Sequence, residues 1–236
     1  MSIAVIGGTG DDGFGLVLRL AMAGERVVIG SRSAERGASA AEKAADTLGD
    51  RLGDGHVEGT TNEAAAGGSD VVFVTVPYAG QAEIYRSIRD ALRPEAVVCD
   101  ATSPLATAVG RPAWQMVTPW EGSAAEQAKA ILPKTVRLVS GLQTISSDAL
   151  QAIDRPLQGD VLLCGADAEA KATIGALIER MANLRWVDAG PLSMARIVEP
   201  LTALMISVNR AYGIHGAGIA LIGRDGWGAP TPAHGA

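Results

Sequence analysis

Hydrophobic positions along this chain fall into short unbroken runs and helically spaced sets, and the two kinds alternate. Residues 2–6 are apolar after Ser2, residues 14–23 carry apolar positions at helical spacing, and residues 26–29 form another short run that opens on Arg26. A run of that length suits a strand buried on both faces, and the longer period suits a helix with one buried stripe. The rhythm continues with a helix expected over 34–48, a polar turn at 51–55, a short strand over 56–58 and a brief helix over 62–66. A strand over 70–76 ends at Pro77, a helix over 81–92 is closed by Pro94, and a strand follows over 96–99. The second half is less regular. It reads as a helix over 123–132, strands over 136–140 and 160–164, a helix over 169–181 and a strand over 184–188. A longer helix over 194–211 carries Pro200 near its first turn, where proline is tolerated. Residues 213–223 read as a second, glycine-loosened helix, and the Gly- and Pro-rich 224–236 as a mobile tail.

Strands and helices in this order build a parallel sheet with helices on both faces. The expected fold class is α/β, a Rossmann-type doubly wound, mostly parallel sheet with a C-terminal sheet extension and helices. Ligands of such sheets sit beyond the carboxyl ends of the strands. That rule gathers Thr9, Ser31, Val76, Pro77, Tyr78, Asp100, Ala101 and Thr102 around one mouth.

Between the first run and the first helix lies Gly7-Gly8-Thr9-Gly10-Asp11-Asp12-Gly13. After a strand and before a helix, this spacing fits a dinucleotide. Gly8 serves the tight turn, Gly10 the close approach of a pyrophosphate, and Gly13 the close packing of helix on strand. The pyrophosphate then meets free N–H groups at the positive end of the helix dipole. The second strand ends in Gly30-Ser31-Arg32-Ser33, where an NAD site places an acid for the ribose 2′-hydroxyl. A hydroxyl, a guanidinium and a second hydroxyl instead suit a 2′-phosphate, and Arg36 follows one helical turn on. The expected cofactor is NADP(H). Asp11 and Asp12 read as first-turn acids that cap the helix and offset its dipole, with side chains turned outward.

Composition narrows the class. Hydrophobic residues are 47% and charged residues 19% of the chain, which excludes a disordered or fibrous protein. At 236 residues it can bury a sizeable core. A net charge of −6 gives no support to nucleic-acid or membrane-surface binding. Cys99 and Cys164 read as core thiols, and His56, His215 and His234 lack metal-ligand spacing, so no metal site is expected. The apolar stretch 201–222 is interrupted by Asn209, Arg210 and His215 and does not read as a membrane span. With no basic leader before the first run, the expected location is the cytoplasm.

Six segments together carry a family resemblance. They are "IAVIGGTGDDGFGLVLRLA", "VVIGSRSAERG", "VVFVTVP", "EGSAAEQA", "LQTIS" and "DAGPLSMARIVEPLTALMISVNR". In this order the chain resembles the NADPH-dependent reductases of coenzyme F420, also called F420H2:NADP oxidoreductases. The resemblance implies that Thr9, Gly10, Asp11 and Asp12 lie against the pyrophosphate and that Ser31, Arg32 and Arg36 hold the 2′-phosphate. Val76 and Pro77 would line the nicotinamide side, with Ala101 at the same mouth. It further implies a deazaflavin stacked on the nicotinamide, in a pocket that includes Gln143, Ile145, Leu192 and Ser193. Two positions depart from the compared members, which carry histidine at Gln143 and tryptophan at Tyr78.

The implied division is an NADP-binding Rossmann domain over 1–145. A smaller C-terminal α/β segment over 146–236 would have helices closing the acceptor cleft. Hydride would pass directly between the nicotinamide and the deazaflavin, so positioning is the catalytic contribution and no certain catalytic residue is named. Thr102, Gln143, Thr144 and Ser193 are the polar groups expected to orient the acceptor. Glu199 reads as structural, the four tryptophans as poor stacking candidates, and Lys134, Arg137 and Arg196 as a solvated face. A homodimer is expected through the apolar last helix. Two other functions stay open: an NADPH-dependent reductase of another small acceptor (a flavin, an imine or a keto acid), and a non-catalytic NADP-binding sensor.

Overall fold

The computed structural model describes residues 1–181, 183–223 and 227. Its first half alternates as the hydrophobic runs require. β1 (Ile3–Ile6) leads to α1 (Asp11–Met22), β2 (Arg26–Ser31) to α2 (Ala34–Leu48), and β3 (His56–Thr61) to α3 (Asn62–Gly67). β4 (Val71–Val74), α4 (Tyr78–Ile88) and β5 (Val97–Asp100) complete the series. The second half holds α5 (Ala124–Ile131), β6 (Arg137–Ser140), α6 (Ser147–Gln151), β7 (Gly159–Cys164), α7 (Ala168–Arg180) and β8 (Leu184–Gly190). α8 (Ala195–Val198) and α9 (Leu201–Tyr212) close the described elements.

All eight described strands join one sheet in the order β3-β2-β1-β4-β5-β6-β7-β8. Pairing is parallel from β3 through β6, β7 runs antiparallel to β6, and β8 is parallel to β7. The sheet therefore crosses residue 145 without a break, and β7 and β8 are the sheet extension expected from the sequence. Period-two alternation divides the core. Ile3 and Val5 face the cluster covered by α1, α2 and α7, whereas Ala4 and Ile6 face the cluster covered by α3, α4 and α5.

The structure corrects several element boundaries. β3 runs to Thr61, and α4 begins at Tyr78, directly after Pro77. The long helix expected over 194–211 is three pieces, a 3₁₀ turn at Leu192–Met194, then α8 and α9, with Pro200 in the N-cap position of α9. No helix forms over 213–223. Gly213 ends α9 at φ 63°, and the chain beyond it runs to β7, where Asp160 N donates to Ile219 O and Leu221 N to Asp160 Oδ2. The tail expectation for 224–236 falls, apart from Trp227, outside the described residues.

α6 was absent from the expected elements. Arg19, buried on α1, secures it by donating to the carbonyl oxygens of Leu150, Ala149, Ala152 and Arg155 at 2.7–3.0 Å. Among the described residues no helix is long and apolar enough to cross a membrane.

Candidate active site

The glycine turn lies at the carboxyl end of β1. Gly7, rather than Gly8, takes the left-handed conformation, at φ 85°. Gly8 N donates to Val5 O, and Gly10 N to Gly7 O at 2.9 Å. Gly13 behaves as its position predicts, since a Cβ there would collide with the Gly7 carbonyl and the Thr75 hydroxyl. Gly10 is the N-cap of α1 and no side chain caps that helix, which corrects the capping role expected of Asp11 and Asp12. The first-turn N–H groups are therefore available to an anion. Asp11 is exposed, while Asp12 lines the cavity described below rather than turning away from it. Partial desolvation, then the negative charges of Asp11 and Asp148, raise the Asp12 pKa.

At the end of β2, Ser31 is buried and Arg32 and Arg36 are exposed, with no ion pair to either guanidinium among the described residues. Ser33 is the N-cap of α2, its hydroxyl accepting from Arg36 N. The uncapped helix and two unengaged guanidiniums fit a dinucleotide phosphate set, so the residues present match the expected NADP(H).

A cavity of about 480 Å³ opens beyond the carboxyl ends of β4, β5 and β6. Its walls include Val76, Pro77 and Tyr78 from the end of β4, and Ala101, Thr102 and Ser103 from the end of β5. Gln143, Thr144 and Ile145 follow β6, and Thr202, Met205 and Ile206 come from α9. Leu142, also in the wall, holds φ 75°, a costly conformation for a leucine that rigid surroundings must maintain. The Gln143 amide nitrogen donates to Ser140 Oγ at 2.7 Å and to Asp100 O at 3.2 Å, tying the ends of β5 and β6 together. Thr102 Oγ1 donates to Val76 O at 3.3 Å, linking β5 to β4 in the same way.

Of the acceptor residues, Gln143 and Ile145 reach this cavity and Leu192 and Ser193 do not. Leu192 packs between two apolar clusters, and Ser193 is exposed in the 3₁₀ turn. His215 was missed. It comes from the coil after α9, lines the cavity, and has Nδ1 3.5 Å from Asp148 Oδ2. No described tryptophan lines the cavity; Trp120 is fully exposed and Trp114 lies against the Arg210 guanidinium at 4.1 Å.

Other candidates have plain structural explanations. Arg196 makes a two-bond ion pair with Glu126, and Arg137 donates to Glu95 O. Cys99 and Cys164 are buried, and burial raises both thiols away from the reactive range. Among the described residues no group of His, Cys, Asp or Glu is arranged to hold a metal ion.

With the geometry in place, comparison with known proteins is specific. Residues 2–104 match the family described as NADP oxidoreductase, coenzyme F420-dependent. The chain is 41% identical over 222 residues to the F420-dependent NADP reductase of Methanothermobacter thermautotrophicus, covering 94% of each. It is 37% identical over 221 residues to the F420-dependent NADP reductase of Methanocaldococcus jannaschii, covering 94% of this chain and 98% of the relative. A solved structure from Arthrobacter sp. FB24 shares the fold with a TM-score of 0.78 at 24% identity, over 94% of this chain and 99% of that one.

Proposed function

The chain belongs to the F420-dependent NADP reductase family, and from that premise we propose that the glycine turn, the end of β2 and the cavity form one continuous site for its two substrates. The protein is an NADP-dependent oxidoreductase that transfers hydride between NADP(H) and coenzyme F420. One observation carries the site assignment: Asp12 and Leu16 of α1 share the cavity wall with Val76, Pro77 and Ala101. A dinucleotide with its pyrophosphate on the start of α1 thus extends its nicotinamide end into that cavity.

In this assignment the backbone of Gly8, Thr9, Gly10, Asp11, Asp12 and Gly13 receives the pyrophosphate. Ser31, Arg32 and Arg36 hold the 2′-phosphate, the guanidiniums donating to its oxygens. Val76, Pro77 and Ala101 form the nicotinamide wall, and Gln143 and Ile145 the acceptor wall. The bound pair of rings supplies the hydride chemistry, and the chain contributes alignment and exclusion of water. A volume of about 480 Å³ is within the range of small-molecule sites and open, which favours turnover over a sensor. Leu192 and Ser193 take no part in this assignment, since neither lines the cavity.

Residues 1–145 form the NADP-binding part, and 146–236 supply the closing elements. The enzyme works in the cytoplasm and as a homodimer, the pairing supported by the exposed Ile197, Leu204 and Tyr212 around the last helices. Mixing the protein with NADPH and oxidised coenzyme F420 tests the function through the deazaflavin's visible absorbance. Bleaching with NADPH but not NADH is expected, and NADPH binding without bleaching would discard the deazaflavin.

A further inference from the structure

Behind the cavity wall, buried polar groups from five segments join in a closed circuit. Asp100 accepts from Thr102 N at 2.8 Å and from Gln81 Nε2 on α4. The same Gln81 nitrogen donates to Ala124 O at 3.1 Å. Ala124 N and Ala125 N donate to the two Glu199 carboxylate oxygens at 2.8 and 3.0 Å, so a residue just before α9 clasps the start of α5. Glu199 O accepts from Thr202 N at 3.2 Å, and Thr202 Oγ1 donates to Gln143 O at 2.8 Å. Gln143 Nε2 donates to Asp100 O and closes the loop. Ser103 braces it, its hydroxyl 2.6 Å from that of Thr202.

The members divide by position. Gln81, Asp100 and Glu199 are 0%, 0% and 1% exposed, whereas Thr102, Ser103, Gln143 and Thr202 line the cavity. Glu199 completes the capping of α5: Ser123 accepts from Glu126 N at 3.1 Å, and the Glu199 carboxylate takes the Ala124 and Ala125 N–H groups that Ser123 leaves free, so the start of α5 is tied to the chain just before α9. Burying two carboxylates in one network is costly. Desolvation pushes Glu199 up to about 8 and Asp100 up to about 6, against the backbone and side-chain donors that lower both. A group held at such cost is explained by what it joins.

We propose that Glu199 is a positioning residue for hydride transfer, which through Gln81 and Asp100 on one side and Thr202 and Gln143 on the other fixes the distance between the β5–β6 wall and the α9 wall of the cavity. The proposal rests on the function assigned above. Hydride transfer depends steeply on the alignment of donor and acceptor, so a small change in this spacing reaches the chemical step before it reaches dinucleotide affinity.

Kinetics with NADPH and coenzyme F420 test it, with NADPH affinity read by fluorescence and folding by thermal melting. Glu199→Gln sets an amide N–H against a backbone N–H, and Thr202→Val deletes the hydroxyl that reaches Gln143. Each should lower kcat about 10- to 100-fold, keep the NADPH Kd within about twofold, and enlarge the isotope effect from 4-deuterated NADPH. Because both act through one circuit, the double variant should lose less than the product of the single losses. Unchanged kcat, parallel loss of kcat and NADPH affinity, or fully multiplicative losses would overturn the proposal. If Glu199→Gln does not fold, Gln81→Met replaces it under the same criteria. Wild-type enzyme that binds NADPH but leaves coenzyme F420 oxidised would overturn the function itself, and the proposal with it.

Discussion

The dinucleotide side and the acceptor side of this enzyme are built in opposite ways. The first comes from contiguous sequence: β1, the glycine turn, α1 and the end of β2 all lie within residues 3–36. In the proposed site its ligand-facing groups are backbone N–H groups and exposed guanidiniums, which need little support from elsewhere. The cavity, where the proposed acceptor wall faces the nicotinamide wall, draws on residues near 76, 101, 143, 202 and 215. Those pieces are held by long-range hydrogen bonds, such as Arg19 to the carbonyls around α6 and Thr202 to Gln143. One region is specified locally and the other by packing, so substitutions should separate them.

The largest effect is expected at Arg19. Arg19→Met would take a donor from four carbonyls of the 149–155 segment and leave that of buried Leu150 unsatisfied; at roughly 1–3 kcal/mol for an unsatisfied buried group, with the other three bonds lost as well, it should cost about 3 kcal/mol. Denaturant melts should record that loss, and the acceptor KM should rise more than the NADPH Kd. If NADPH binding suffers most, the two sides are not separable. Gly13→Ala comes next. Its new Cβ meets backbone at Gly7, and overpacking of this kind costs about 1–3 kcal/mol. Here both melting temperature and NADPH affinity should fall while saturating acceptor turnover recovers.

Arg32→Ala acts at an exposed position and leaves the core intact. A hydrogen bond to a charged group contributes about 1.5–3 kcal/mol, so NADPH should weaken by that amount and NADH hardly at all. Equal losses for both dinucleotides would remove Arg32 from the phosphate site. Gln143→His should change acceptor binding by about 1 kcal/mol, the size of one neutral hydrogen bond, and lower kcat as well, because it removes the Nε2 bonds to Asp100 O and Ser140 Oγ. It should leave NADPH titrations as they were, and an effect on NADPH alone would place Gln143 on the wrong side.

How much of each side was legible follows from the same contrast. Strand runs such as Val71–Val74 and the Gly7–Gly13 turn announce themselves, because burial on both faces and close approach demand particular residues in sequence. Even there the role of Gly8 shifted to Gly7, since two adjacent glycines can each supply the turn. α6 was hidden because it spans only Ser147–Gln151, though Ser146, whose hydroxyl accepts from Ala149 N, is an N-cap signal that could have marked it.

His215 falls inside the 213–223 stretch that the sequence assigns to a second helix, whereas past Gly213 the chain is coil and brings His215 to the cavity. Glu199 was read as structural. Its contacts to Ala124 and Ala125 lie 75 and 74 positions away, beyond any motif.

In this enzyme hydride passes directly from one ring to the other, aligned by two differently built sides. That transfer is tested by a single turnover of the enzyme with coenzyme F420 and NADPH deuterated at C4 on each face in turn. Deuterium from one face only should appear at C5 of the reduced deazaflavin, without dilution by solvent. Reduced deazaflavin carrying solvent hydrogen at that carbon, or label from both faces equally, would contradict the account.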